Sequence, residues 1–204
     1  MLARKPALER KAEIVTAMLR LADELGPDRL TTQAVADAVG LTQPAIFRHF
    51  ATKKDLWLAV AERISDRLTA GWTEAISAST DPIARIHALI LEQLRQIEAM
   101  PAIPSILFSR ELQVENEALR QAVFELMAEL IALLAGEVAK AQDAGVFDAG
   151  LSPKEGAHLL VSLVQGLAIR WTLGGRGFAL VPEGRRLLDA QLRLFRVPQV
   201  GDAP

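Results

Sequence analysis

The sequence predicts an all-α protein of about nine helices, with a small helix-turn-helix head at the N-terminus and a helical bundle after it. Three observations carry this. Apolar residues recur three or four positions apart through most of the chain, the spacing that gathers them on one face of a helix. No stretch alternates Val, Ile or Thr with polar residues at period two, so no sheet is expected. Gly and Pro clusters interrupt the periodic stretches at intervals suited to helices joined by short loops.

In chain order, Ala12, Ile14, Val15, Met18, Leu19, Ala22 and Leu25 form the stripe of a first helix, ended by Gly26-Pro27. Thr31 or Thr32 can cap a short second helix that carries Val35, Ala36 and Val39 and stops at Gly40. Thr42 caps a third, with Pro44 in its first turn, where a missing N–H costs nothing. Ala51-Thr52 separates this from a longer fourth helix starting near Lys53. Breaks at 79–82, 100–104, 144–152 and 173–182 then leave amphipathic segments over 83–99, 116–143, 153–172 and 183–196. The last residues, Val197 to Pro204, are expected to fray.

Composition narrows the function. The 204 residues are 50% hydrophobic and 24% charged, enough to bury a core without staples. Cysteine is absent, which excludes disulfides, thiolate catalysis and Cys-ligated metals. The longest charge-free apolar run, Gly156 to Ile169, falls short of the ~20 residues a bilayer core demands. Neither a membrane span nor a secretory leader is expected, and the cytoplasm is the expected location. The formal charge of −2 hides a gradient. Residues 1–56 carry nine Lys/Arg against seven Asp/Glu, while the rest carries fourteen against eighteen. The chain therefore divides into a basic head, 1–56, and an acidic body, 57–204, a balance that points the head toward nucleic acid.

Residues 31–50 carry the functional argument. Ala36 and Gly40 are small residues where two helices cross closely, Gly40 is free to take a left-handed turn, and Leu41 and Ile46 fill the space between the helices. On the third helix, Thr42, Gln43 and Arg48 face away from Ile46, Phe47 and Phe50, as a helix that inserts its N-terminal end into the major groove requires.

Gly26 with Leu30-Thr31-Thr32, Val35-Ala36, Gly40-Leu41, Ile46-Phe47, His49-Phe50, Lys53 and Leu56 resembles, in register, the DNA-binding head of the tetracycline-repressor (TetR) family. The resemblance covers residues 8–58. It implies a homodimeric, all-helical transcriptional regulator, usually a repressor that binds palindromic double-stranded operator DNA and is released by a small molecule. Carried over residue by residue, it implies that Thr32 grips a phosphate and that Gln33 reaches a base edge. Gln43 and Pro44 would read bases, glutamine being suited to adenine and proline to a thymine methyl. His49 and Lys53 would hold the backbone, with the dipole of the fourth helix adding to Lys53; Arg48 would take a base or a phosphate, and Thr42 is counted with these DNA-binding residues. Phe47 stands where the family most often has Tyr, so one hydroxyl contact is missing.

An enzyme is not expected. Glu155 and His158 form one Glu-x-x-His pair, but di-iron bundles need two, and neither His49 nor His87 has a Glu three residues before it. Ser152 with Glu155 reads instead as a capping box. Gly174-Gly175-Arg176-Gly177 follows a helix and lacks the third glycine of a dinucleotide fingerprint. No metal and no cofactor are expected. The alternative to a regulator is a helical protein-interaction module without specific DNA binding; only the nucleic-acid reading predicts salt-sensitive retention on DNA.

In the body, Trp72, His87, Met100, Phe108, Phe124, Met127, Gln165 and Trp171 are the candidate walls of a pocket for a hydrophobic or aromatic inducer. Leu159, Ser162, Leu163, Gly166, Leu167 and Arg170, with Leu187, Gln191, Leu194 and Phe195, form the stripes expected to pair across a two-fold axis.

Overall fold

The computed structural model describes residues 6–197, and ten α-helices make up most of them. Arg4 and Lys5, two charges of the basic head, lie outside the described residues, as does the tail beyond Val197 that was expected to fray. Among the described residues there is no strand, only an isolated antiparallel bridge between Phe147 and Arg196. No helix there is long and apolar enough to cross a membrane. By its internal contacts the chain forms two compact units, one reaching to Arg67 and taking in Met100–Glu125, the other Leu68–Ala99 with the chain from Leu126 onward.

In the first unit, α1 (Ala7–Leu25) buries Ile14, Val15, Met18, Leu19 and Ala22 of the expected stripe and adds Ala17 and Leu21, while Ala12 and Leu25 are exposed. Gly26, at φ +83°, ends it, and Pro27–Arg29 forms a single 3₁₀ turn. Then come α2 (Thr32–Ala38), α3 (Gln43–Phe47) and the start of α4 (Lys53–Ser77). The segment after Met100, read from sequence as a break, folds instead into α6 (Ala102–Leu107) and α7 (Arg110–Glu115), two short helices beyond the eight located from sequence, against about nine expected. Pro104 is the reason. It occupies the first turn of α6, where N–H groups have no partner within the helix, so it starts the helix rather than breaking it.

Two polar side chains fasten this segment inside the first unit. Ser109 caps α7 by accepting the N–H of Leu112 and donates its hydroxyl to Asp28 at 3.0 Å. Asn116 is buried. Its amide nitrogen donates to the carbonyl of Lys54 at 2.9 Å, while its oxygen caps the start of α8 (Glu117–Asp143) at Leu119.

The second unit packs α5 (Pro82–Ala99), α9 (Pro153–Leu173) and α10 (Leu180–Leu194) on one another, with the later parts of α4 and α8. Its core includes Leu68, Trp72, Ile86, Leu89, Ile90, Leu94, Leu134, Leu160 and Leu188, each at most 1% exposed. Each such apolar side chain contributes about 1.5–3 kcal/mol by leaving water. At Gly184 α10 comes so close to α5 that a Cβ would collide with Leu94 Cδ1. The capping box at the start of α9 is present, with Ser152 and Glu155 each bonded to the other's backbone N–H. That structural duty is the role in which Glu155 is found.

Candidate nucleic-acid interface

The turn between α2 and α3 is set by the hydrogen bonds of three successive N–H groups and by one dihedral. Gly40, at φ +64°, donates to the carbonyl of Asp37 at 3.3 Å, and Leu41 donates to Ala36 at 2.9 Å. Val39 donates to Val35 and Ala36 as α2 closes. This is the double bond pattern of a glycine-terminated helix end, and it turns the chain into α3. The space around Gly40 is open, with nothing within 4 Å of a built Cβ. The glycine is required for its dihedral and not, as the sequence implied, for a close helix crossing.

Of the two candidate caps of α2, Thr31 does the work, its hydroxyl accepting the N–H of Ala34 at 3.2 Å. Thr32 is the first helical residue and is only 8% exposed. Gln33 is exposed, and its amide donates to Asp37 Oδ1 at 2.6 Å, a bond it must release before it can reach a base. Thr42 stands at the N-cap of α3 but makes no side-chain cap bond. The N–H of Ala45 bonds to the backbone carbonyl of Thr42, and Pro44 has none to offer, so the Thr42 hydroxyl is not used as a cap.

Gln43, Pro44 and Arg48 are exposed, while Ala45 and Ile46 are buried beneath them. Phe47 departs from expectation. It does not join Ile46 and Phe50 in the core but is 39% exposed, one helical turn after Gln43 and on the same side. Phe50 is buried, with the ammonium of Lys11 5.4 Å from its ring centroid. Lys53 opens α4 and is exposed. Thr52 and Asp55 form a capping box there: the carboxylate accepts the Thr52 N–H and the Thr52 hydroxyl accepts the Asp55 N–H. A carboxylate thus already meets the positive end of the α4 dipole, so any phosphate contact at this point depends on the Lys53 ammonium.

The charges fall in a pattern. On α1, Arg10 pairs with Glu13 and Arg20 with Glu24. Arg48 and Lys53 have no carboxylate partner among the described residues and stay available to an anion. Pro6, Ala7 and Arg10 of the α1 start line a groove with Leu41, Ala45, Arg48 and His49. Sequence reading missed the exposure of Phe47 and this α1 edge. The four-residue step from Gln43 and the basic start of the chain were the signals that could have found them.

The other candidate sets are partly dispersed. Met100, Phe108 and Phe124 belong to the first unit, where the two phenylalanines are 43% and 63% exposed. Trp72, His87, Met127, Gln165 and Trp171 belong to the second. There the Trp72 N–H donates to Gln93 and the Trp171 N–H to the carbonyl of Phe178, so both indoles are satisfied within the core. His87 lines a cleft with Asp189, 3.3 Å from it, and burial holds the imidazole below its ordinary pKa in spite of that carboxylate. Among the described residues no cluster of His, Asp or Glu could hold a metal.

On α9, Leu159, Ser162, Gly166 and Arg170 are exposed and Leu163 is half-buried. On α10, Leu194 is 82% exposed, and Leu187 and Gln191 are half-buried. Leu167 and Phe195 instead turn inward, Phe195 packing edge-on against Phe147 at 5.6 Å. Ile169 and Leu173 take over the outward row, which then runs Leu159, Ser162, Gly166, Ile169, Leu173 in steps of three and four. Arg170 pairs within the chain with Glu183, at 2.7 Å.

A short helix ending on a glycine turn, followed by a second that exposes Gln43 and Pro44 beside unpaired cations, is a helix-turn-helix of the DNA-binding kind. Residues 14–60 match the bacterial regulatory proteins of the tetR family. The nucleoid occlusion factor SlmA of Vibrio vulnificus is 27% identical over 122 residues, 59% of this chain and 62% of that one. The transcriptional activator FasR of Mycolicibacterium smegmatis is 27% identical over 135 residues, 61% of this chain and 62% of that one. The chain thus spans about three fifths of the length of these relatives. In fold, a transcriptional regulator from Saccharomonospora viridis, solved in complex with choline, superposes with a TM-score of 0.83 at 22% identity, covering 94% of this chain and all of that one.

Proposed function

We propose that the protein is a cytoplasmic transcriptional regulator, most simply a repressor, that binds a palindromic operator as a homodimer and is released by a small, hydrophobic ligand. The observation that carries this is the exposed Gln43–Pro44 end of α3, held by the Gly40 turn within the stretch that matches the tetR family. In this reading Gln43 takes an adenine edge and Pro44 a thymine methyl, with Gln33 reaching a further base. Thr32, Thr42, His49 and Lys53 hold phosphates, and Arg48 takes a base or a phosphate. Residues 1–56 supply the reading head and 57–204 the sensing and dimerising body. The outward row of α9, continued by Leu187, Gln191 and Leu194 on α10, is the face that pairs with a second copy.

Two heads are needed because one covers few base pairs, whereas two placed ~34–36 Å apart read both halves of a palindrome. Selection from random-sequence duplex DNA tests the reading. It should enrich an inverted repeat, and a pool that stays random after repeated rounds would overturn it. The relatives named as nucleoid occlusion factors support a second reading, in which the same head serves nucleoid occlusion instead of promoter control. A genome-wide binding map separates the two by the number and placement of sites.

A further inference from the structure

The second unit contains a cleft of about 310 Å³ between α5, the Phe147 turn and the last turns of α10. Its apolar lining is Ile83, Phe147 and Leu192, the last two buried. Arg193 and Arg196 stand at its rim, both exposed. The one carboxylate in the lining, Asp189, is engaged by His87, whose Nε2 lies 3.3 Å from Asp189 Oδ1.

The two rim arginines differ from others of the same unit. Arg85, Arg95, Arg170 and Arg186 each pair with a glutamate. Arg193 and Arg196 have no carboxylate partner among the described residues. Two uncompensated guanidinium groups above an apolar floor make a site for an anion with an apolar body, since the planar fork of arginine matches a carboxylate. At 3.6 residues per turn, Asp189 and Leu192 lie on the opposite side of α10 from Leu187, Gln191 and Leu194. Covering that stripe with a second copy therefore leaves the cleft open.

We propose that this cleft binds a small organic carboxylate, its body on the Ile83–Phe147–Leu192 floor and its carboxylate between Arg193 and Arg196. The volume lies at the lower end of ligand pockets, roughly 300–1,000 Å³, so the ligand is a short-chain or single-ring acid. The site stands on this geometry alone and does not depend on the DNA-binding function.

Isothermal titration of the full-length protein with benzoate, hexanoate, benzamide and inorganic phosphate tests it. Both acids should bind saturably, and benzamide and phosphate should bind far more weakly. The double variant Arg193→Gln, Arg196→Gln should lose about tenfold or more in acid affinity while keeping its helical circular dichroism and melting temperature. Ile83→Trp, which fills the floor, should lose a similar amount. No saturable heat from either acid at millimolar concentration would overturn the proposal. So would phosphate binding as tightly as the acids, which would mark a bare cationic patch, or an affinity unchanged in the double variant.

Discussion

Replacing Gly40 by alanine separates two reasons for a glycine in the turn. Its φ of +64° lies in the left-handed region, and the bonds from Gly40 to Asp37 and from Leu41 to Ala36 hold it there. A Cβ would touch nothing within 4 Å, so crowding adds no cost. The conformational penalty for an L-residue is about 1–2 kcal/mol. A less flexible unfolded chain returns about 0.4–1 kcal/mol of that. Gly40→Ala should therefore destabilise the protein by about 1 kcal/mol, and Gly40→Asn by less, because asparagine tolerates this region. Urea unfolding of both variants without DNA measures this. An alanine variant as stable as the parent would show that the left-handed turn is not held in solution. An asparagine variant worse than alanine would show that space, and not dihedral, is the constraint.

Three further outcomes follow from the same structure. Lys53→Ala should weaken specific and non-specific DNA binding alike and reduce the slope of log affinity against log salt by about one unit, read by fluorescence anisotropy; an unchanged slope removes Lys53 from the phosphate contacts. Gly166 is exposed with nothing near its missing Cβ, so Gly166→Phe should leave the protomer folded yet give monomers in analytical ultracentrifugation and lose most operator affinity; a dimer with operator binding intact places the interface elsewhere. Hydrogen bonds from Arg186 and Arg170 bring the Glu183 carboxyl down to about 2. Its contribution is therefore present above the ordinary carboxylate range and lost as pH falls from about 4.5 toward 2. The small gap in urea midpoint between the parent and Glu183→Gln should be constant near neutrality and shrink in acid, and a gap that grows in acid contradicts the pairing.

Much of the head was legible because its determinants are local. The α1 stripe, the Gly40 stop and the start at Lys53 each rest on residues within one or two turns of one another. What failed was long-range or positional. Pro104 and Pro182 look like breakers, yet each sits in the first turn of a helix, where a proline fits. The stripe spacing placed Phe195 on an outer face, but Phe147, 48 positions earlier, draws it inward, and no local pattern encodes that contact. Phe47 was assigned to the core on its apolar character alone, although its step from Gln43 sets it on the exposed side. The attachment of 100–125 to the first unit rests on Ser109 meeting Asp28 and Asn116 meeting Lys54, pairs separated by 81 and 62 residues.

The central claim is that the exposed end of α3 reads bases. Anisotropy titration of Gln43→Ala against the selected operator and against a scrambled duplex of equal length tests it most directly. A base contact predicts a loss of roughly 1–3 kcal/mol on the operator and almost none on the scrambled duplex. Equal weakening on both, or no change on either, would contradict it.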